Sequence, residues 1–418
     1  MEETLHQAEQ LEKEYEWLKA AESYEKALKL LPEDDFSRKA ETLERLGYAV
    51  YRAAFQAESN DDFRQTLRKA VLDYEKAKEN YQKVNDPNTG RMLRCDAMNA
   101  YMGYWLAPEA PEKKRLLGEC WRLAEDSLKA SKESGKAEEY GETFNQLSAS
   151  ALLAFCYEWD YQAGKKLIKE VADHGEVAIK LLSTVNEPNT LAKAYAKAAF
   201  VLSLFAYYFV DLDERENCAR KAQSYWTKAG ETSEIAARLE MLCPIPCAHD
   251  ILWGAGTEEA IANVEEALEH ARRTRDKFII ASAMDWLVYH IVWAIYSIWI
   301  DDYDEREKRQ GAVIQYAEDA KRQYSIVSFI SPRADQAWIE AIHATVPLDF
   351  FSRETDLADF ARFEAIPKKY DVVEKAVAAG RDALVAAEAS GYPCAIRYVR
   401  TWLARRKSPE VCKVRVQP

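Results

Sequence analysis

Glycine and proline are scarce in this chain, at 14 and 13 of 418 residues, against average usage of roughly 7% and 5%. Sheet-rich folds need such residues at every corner, so the shortage argues against strands joined by tight turns and favours long helices. A basic surplus is missing too. Lys and Arg together number 57 against 70 Asp and Glu, a net charge of −13, which argues against a general nucleic-acid binder. No Gly-rich phosphate loop with Lys-Ser/Thr, no His-Glu-x-x-His and no Gly-x-Ser-x-Gly is found, so no motif points to catalysis and no cofactor is implied. The eight cysteines (95, 120, 156, 218, 243, 247, 394 and 412) lack the regular spacing of a disulfide framework. They read as reduced, mostly buried side chains of a cytoplasmic protein. "MEETLHQAEQLEKEYEWL" has no basic segment followed by an apolar run, so no secretory leader is expected.

One long apolar run is present, "FIIASAMDWLVYHIVWAIYSIWI" at 278–300. It carries Asp285 and His290 and is bracketed by charged stretches, which reads as a buried soluble helix rather than a membrane span.

What the sequence does have is repetition. The tetrapeptide Tyr-Glu-Lys-Ala occurs at 24–27 and again at 74–77. It sits within a pattern of small residue, aromatic and small residue at i, i+4 and i+7: Ala20/Tyr24/Ala27, Ala70/Tyr74/Ala77 and Ala222/Trp226/Ala229. Looser copies are Leu117/Trp121/Ala124, Val171/Gly175/Ala178, Ala260/Val264/Ala267, Val313/Ala317/Ala320 and Ala376/Gly380/Ala383. The first positions are separated by 50, 47, 54, 51, 38, 53 and 63 residues, a period suited to two longish helices plus turns. "DLDERE" at 211–216 and "DYDERE" at 302–307 repeat with the offset that carries 222/226/229 onto 313/317/320. "VNDPNT" at 84–89 and "VNEPNT" at 185–190 lie two periods apart. Proline pushes the residue before it out of the helical region, and Asn and Thr cap helices. These hexapeptides therefore read as punctuation between units, in preference to a ligand loop.

The stretches "AAESYEKALKLLP" (20–32) and "LERLGYAVY" (43–51) resemble the two helices of the tetratricopeptide repeat superfamily. The departure is length, since the standard unit is about 34 residues; the longer units look like the long-helix variants of that superfamily. The resemblance implies an all-α fold: a right-handed α-solenoid of about eight antiparallel helix pairs plus a C-terminal capping helix. We expect an N-terminal array over 1–242, a C-terminal array over 243–406 and a tail over 407–418. First helices are expected to line the concave side; "LAKAYAKAAFVLSLFAYYFV" at 191–210 is an example.

Two local motifs have a bland and a sharp reading. "GAGTEE" (254–259) is a turn with Thr257 as N-cap, or an anion site at a helix start. "CPIPCAHD" (243–250) brings Cys243, Cys247 and His249 together, but without the spacing or the fourth ligand of a zinc site. It reads as a break in the solenoid and a candidate hinge, and no metal is expected.

The resemblance implies a protein or peptide partner held in the groove by a scaffold or adaptor without chemistry of its own. With Gly47 taken as the close-packing residue, Glu41, Glu44, Tyr48, Tyr51 and Arg52 point toward that groove. The same register selects Arg94, Tyr101 and Tyr104 in the third unit and Asn145 in the fourth. Tyr, Arg and Asn are suited to holding an extended or helical peptide, although long helices could equally bury these rings among themselves. The alternative function is a ligand-sensing arm of a signalling system. Its pocket would be built from Asp285, Trp286, Tyr289, His290 and Trp293, because a buried carboxylate must be paired or hydrogen-bonded. Neither nucleic acid nor a membrane is an expected partner, and the sequence does not fix an oligomeric state.

Overall fold

The structure is a computed structural model, which describes residues 1–84, 89–158, 160–209, 212–239, 257–296, 303–329 and 372–407. Among these residues all regular structure is α-helical. In chain order the helices are α1 (Glu2–Lys13), α2 (Trp17–Leu30), α3 (Phe36–Ala54), α4 (Asn60–Gln82), α5 (Thr89–Leu106), α6 (Ala110–Glu133), α7 (Ala137–Cys156) and α8 (Tyr161–Leu182). They continue with α9 (Pro188–Phe209), α10 (Leu212–Leu239), α11 (Glu258–Thr274), α12 (Lys277–Tyr296), α13 (Tyr303–Ile326), α14 (Val372–Ser390) and α15 (Pro393–Lys407). The chain divides into two compact units. The first holds Met1–Leu252 with two later stretches, His270–Ile279 and Ile326–Phe329; the second holds Trp253–Glu269, Ile280–Ser325 and Ile330–Pro418.

In the first unit α1 to α10 pack as consecutive pairs, and each pair packs on the next. First helices also meet one another directly, α5 with α7 and α7 with α9. This is an α-solenoid of stacked helix pairs. The repeated sequence pattern is its core. Ala20, Tyr24, Ala27, Ala70, Tyr74, Ala77, Leu117, Trp121 and Ala124 are all buried, as are Val171, Ala178, Ala222 and Ala229. One pair cannot enclose both its faces, so the array forms only as neighbours stack.

Local chemistry sets the helix starts. Asp35, Ser59 and Asp160 cap α3, α4 and α8 by accepting from the amides of Arg38, Asp62 and Ala163 at 3.2, 3.1 and 2.8 Å, which satisfies donors that the first turn leaves open. Helix α9 begins at Pro188 itself, so Asn189 and Thr190 lie inside the helix rather than capping it. Proline is tolerated there because the first helical amide has no intrahelical partner anyway. Asn189 Oδ1 instead accepts from the Ser233 hydroxyl at 2.9 Å. Ser233 has φ −161° and ψ 100°, which interrupts α10.

In the second unit α14 packs on α15, with an Arg400–Glu388 ion pair at 2.7 Å. Thr257 Oγ1 accepts from the Ala260 amide at 3.2 Å and caps α11, and Arg309 on α13 pairs with Glu258 at 2.8 Å. The repeat positions Ala260, Val264, Val313, Ala317 and Ala320 are buried here as well. Cys243, Cys247 and His249, and the expected boundary near 243, fall outside the described residues. No described helix is long and apolar enough to cross a membrane.

Candidate functional site

The first helices of the N-terminal unit carry a charged ridge joined from helix to helix. Arg94 on α5 is buried. Its Nε donates to Glu44 Oε1 on α3 at 2.5 Å, its Nη1 to the Glu139 carbonyl on α7 at 3.3 Å, and its Nη2 lies 3.0 Å from Glu142. One turn earlier, Arg91 donates from Nε to Glu139 Oε1 and from Nη1 to the Tyr81 hydroxyl, both at 3.0 Å, and pairs with Glu41 at 3.2 Å. Tyr81 in turn donates to Glu44 Oε2 at 2.8 Å. Three successive first helices are thus fixed in register by two guanidinium groups, whose planar fork of donors suits several acceptors at once.

Electrostatics follow from this geometry. Burial alone would raise the Glu44 carboxyl, but the Arg94 and Arg91 guanidinium groups and the Tyr81 hydroxyl outweigh it and hold Glu44 below the ordinary carboxylate range. Glu12 on α1 behaves oppositely. Burial raises it, and Lys193, Arg45 and the Tyr24 hydroxyl (2.9 Å from Oε1) compensate only in part. Glu138 is raised as well, by burial and by Glu142 and Glu187. The ridge holds a surplus of carboxylates: Glu9, Glu12, Glu41, Glu44, Glu138, Glu139 and Glu142 against Arg45, Arg91, Arg94, Lys193 and Lys136, which pairs with Glu139 at 3.5 Å. Of these, Glu9, Glu41 and Arg45 have side chains 42%, 46% and 50% exposed.

Next to this ridge, toward the C-terminal ends of α3 and α5, lies an aromatic ladder. Tyr51 packs against Tyr48, Phe55 and Tyr101 with ring centroids 6.0, 5.3 and 6.0 Å away. Tyr101 stacks on Tyr104 at 6.4 Å, and both meet Trp105. Arg52 lies over Trp17 at 4.8 Å and donates to the Tyr48 hydroxyl at 3.1 Å.

The residues selected from the sequence are therefore brought together, in two groups. Glu41, Glu44 and Arg94 belong to the ridge; Tyr48, Tyr51, Arg52, Tyr101 and Tyr104 belong to the ladder. Glu44, Arg52, Arg94, Tyr101 and Tyr104 are buried, whereas Glu41, Tyr48 and Tyr51 are half-buried. Asn145 stands apart from both. Its Nδ2 donates to the Thr190 carbonyl in the first turn of α9 at 3.1 Å. Its Oδ1 is enclosed with no hydrogen-bond partner among the described residues.

Sequence reasoning missed Arg91, Glu139, Glu142 and Tyr81. The signal was present: Arg91 lies 50 residues after Glu41, one repeat period, where opposite charges on adjacent first helices face each other. In the second unit Asp285 and His290 are buried on α12. The ring pairs Trp286–Tyr289, Trp286–His290 and Tyr289–His290 lie 5.6, 6.3 and 5.4 Å apart. The Trp293 side chain lies outside the described residues. Among the described residues no group of three or more His, Cys, Asp or Glu is arranged to hold a metal ion.

No protein-family model matches the chain, and no curated protein matches it. Among the solved structures similar to the chain are two that span most of it. One is a Signal Transduction ATPase with Numerous Domains with a tetratricopeptide repeat sensor, from Pyrococcus horikoshii. It is 14% identical with a TM-score of 0.36, over 96% of this chain and 55% of that one. The other is a Rap protein complexed with Competence and Sporulation Factor, 13% identical with a TM-score of 0.40, over 90% of this chain and 100% of that one. The chain thus spans 55% of the length of the ATPase structure. Its assignment as a solenoid rests on its own helix packing.

Proposed function

We propose that the protein is a non-enzymatic scaffold whose first-helix layer binds a protein or peptide partner. The observation that carries this reading is the locked ridge. Buried ion pairs fix α3, α5 and α7 relative to one another, and on that fixed frame Glu9, Glu41, Arg45 and Tyr48 remain accessible. A rigid frame loses little conformational freedom on binding, so contacts made to it translate into affinity more fully. The surplus of carboxylates favours a partner whose contacting segment is basic, and this electrostatic match acts mainly on association rate and specificity. Half-buried Tyr48 offers the aromatic character typical of interface anchors, and Arg52 beneath it holds its hydroxyl.

The test uses two half-buried residues, Glu41 and Tyr48, which contact Arg91 and Arg52, so the stability of the variant is measured beside its binding. Glu41→Lys combined with Tyr48→Ala, checked for unchanged helicity, is compared with wild type by capture from source-cell lysate and then by titration of the captured protein. Loss of at least tenfold in affinity supports the reading. An affinity unchanged by the double substitution overturns it.

A further inference from the structure

Several lysines of the first unit lie against carboxylates: Lys69 against Glu25 at 2.8 Å, Lys78 against Asp96 at 2.7 Å and Lys221 against Glu176 at 2.7 Å. Lys113, half-buried near the start of α6, is placed differently and has no carboxylate partner among the described residues. Its Nζ donates to the Ser328 carbonyl at 3.3 Å and lies 5.6 Å from the centre of the Tyr104 ring on α5. The charge beside it is another cation, Arg64 on α4, which donates to the Leu106 carbonyl at 2.8 Å. The carboxylate next to it in sequence, Glu112, is turned to Arg115, which donates to both its oxygens at 2.9 and 2.7 Å.

Three features of this placement act against the ammonium form. Partial burial removes water from the charge, and Arg64 repels it. The first turn of α6, which Lys113 closes, adds the positive end of a helix dipole. Against these stand the Ser328 carbonyl, at more than the ordinary hydrogen-bond length, and one aromatic face, which contributes little at a partly exposed site. Burial first, and Arg64 second, therefore hold the Lys113 amine below the ordinary lysine range. A lysine that is desolvated or set beside another cation is activated as a nucleophile, because the unprotonated amine is what attacks. Arg64 has a second use in the same geometry, since the guanidinium donors that do not face Leu106 suit a phosphate group.

We propose that Lys113 is a site of covalent acylation and that its donor is an acyl phosphate. The neutral amine attacks the acyl carbon. The C–N bond forms, the C–O bond to phosphate breaks, and the amine proton goes to the phosphate, which departs beside Arg64. The product is an uncharged amide, which ends the repulsion by Arg64 and sets an acyl group against Tyr104. The inference goes beyond the scaffold reading and uses none of the accessible residues on which that reading rests.

The experiment incubates the folded full chain with acetyl phosphate at about pH 8, below the ordinary lysine range, and follows each acetylated lysine by peptide mass spectrometry. Lys166, with a side chain 78% exposed and 3.6 Å from Glu170, is the internal reference. Access alone would make Lys166 the faster; activation makes Lys113 faster, by about fivefold or more. Arg64→Gln should slow Lys113 by about threefold or more and leave Lys166 unchanged, while Arg64→Lys, which keeps a cation, should restore part of the rate. A simple acetyl thioester, whose leaving group carries no phosphate, should favour Lys113 less. Circular dichroism checks that both variants fold; if either does not, the ratio in wild type and the thioester comparison decide alone. Lys113 reacting no faster than Lys166, a rate indifferent to Arg64→Gln, or an equal preference with the thioester overturns the proposal.

Discussion

Two helix pairs of the same unit solve one packing problem in opposite ways. In α3/α4 the small residue is on the first helix and the ring on the second: a Cβ on Gly47 would lie 2.8 Å from Tyr74 Cδ2. In α7/α8 the roles are exchanged. The ring is Phe144 on the first helix, its tip 3.0 Å from where a Cβ of Gly175 would stand, with Ala198 Cβ of α9 at 3.1 Å. Tyr74 and Phe144 are both at 0% exposure. What the repeat preserves is the combined volume at each interface, which cores tolerate exchanging between positions, and not the residue type at one position. This accounts for the loose form of Val171/Gly175/Ala178: the aromatic is missing from α8 because α7 supplies it.

The comparison is broken most severely by deleting the rings. Tyr74→Ala and Phe144→Ala should each destabilise the chain by about 3–5 kcal/mol, the usual penalty for emptying an enclosed aromatic site. Urea denaturation followed by circular dichroism measures both. If the exchange of roles is real, the two losses agree within about 1 kcal/mol of each other. A small loss for Phe144→Ala would mean that α7/α8 is held by other contacts.

Much of this architecture was legible beforehand because close packing repeats itself in sequence. The period near fifty and the buried positions flanking Tyr24 and Tyr74 follow from residues that must be small or large at fixed intervals. The candidate site was legible only in part. Register from Gly47 put Glu41, Glu44, Tyr48, Tyr51, Arg52, Arg94, Tyr101, Tyr104 and Asn145 in one groove-facing set, but register does not tell a shared face from an open one. Arg94 is buried because the flanking first helices each supply a carboxylate, a fact that one helix's pattern cannot carry. The contact of Lys277 with Phe55 spans more than four repeat periods and leaves no periodic trace at all.

A milder way to sharpen the comparison is to add a methyl group. Gly47→Ala places a Cβ against the edge of an enclosed ring that has nowhere to turn, and should destabilise by about 1–3 kcal/mol. Gly175→Ala should be less damaging, since its nearest neighbours stand at 3.0 and 3.1 Å instead of 2.8 Å. Gly118 on α6 has nothing within 4 Å of its Cβ position, so Gly118→Ala should stabilise by up to about 1 kcal/mol through helix propensity alone. Thermal unfolding of the three single variants gives their order directly. If Gly47→Ala proved neutral, Tyr74 would not be the fixed wall that the geometry makes it.

The smallest effect separates the two rings by a single atom. Phe144 has no hydroxyl, whereas the Tyr74 hydroxyl is enclosed and has no hydrogen-bond partner among the described residues. A buried hydroxyl without a partner is destabilising by about 1–3 kcal/mol, part of which returns when the oxygen is removed and the ring keeps its place. Tyr74→Phe should therefore be neutral or raise stability by about 1 kcal/mol, making α3/α4 resemble α7/α8 in chemistry while leaving the exchange of roles intact. A loss on Tyr74→Phe, measured by the same urea titration, would show that the oxygen does have a partner, such as a water between α3 and α4. The two pairs would then differ in how they are hydrated as well as in which helix carries the ring.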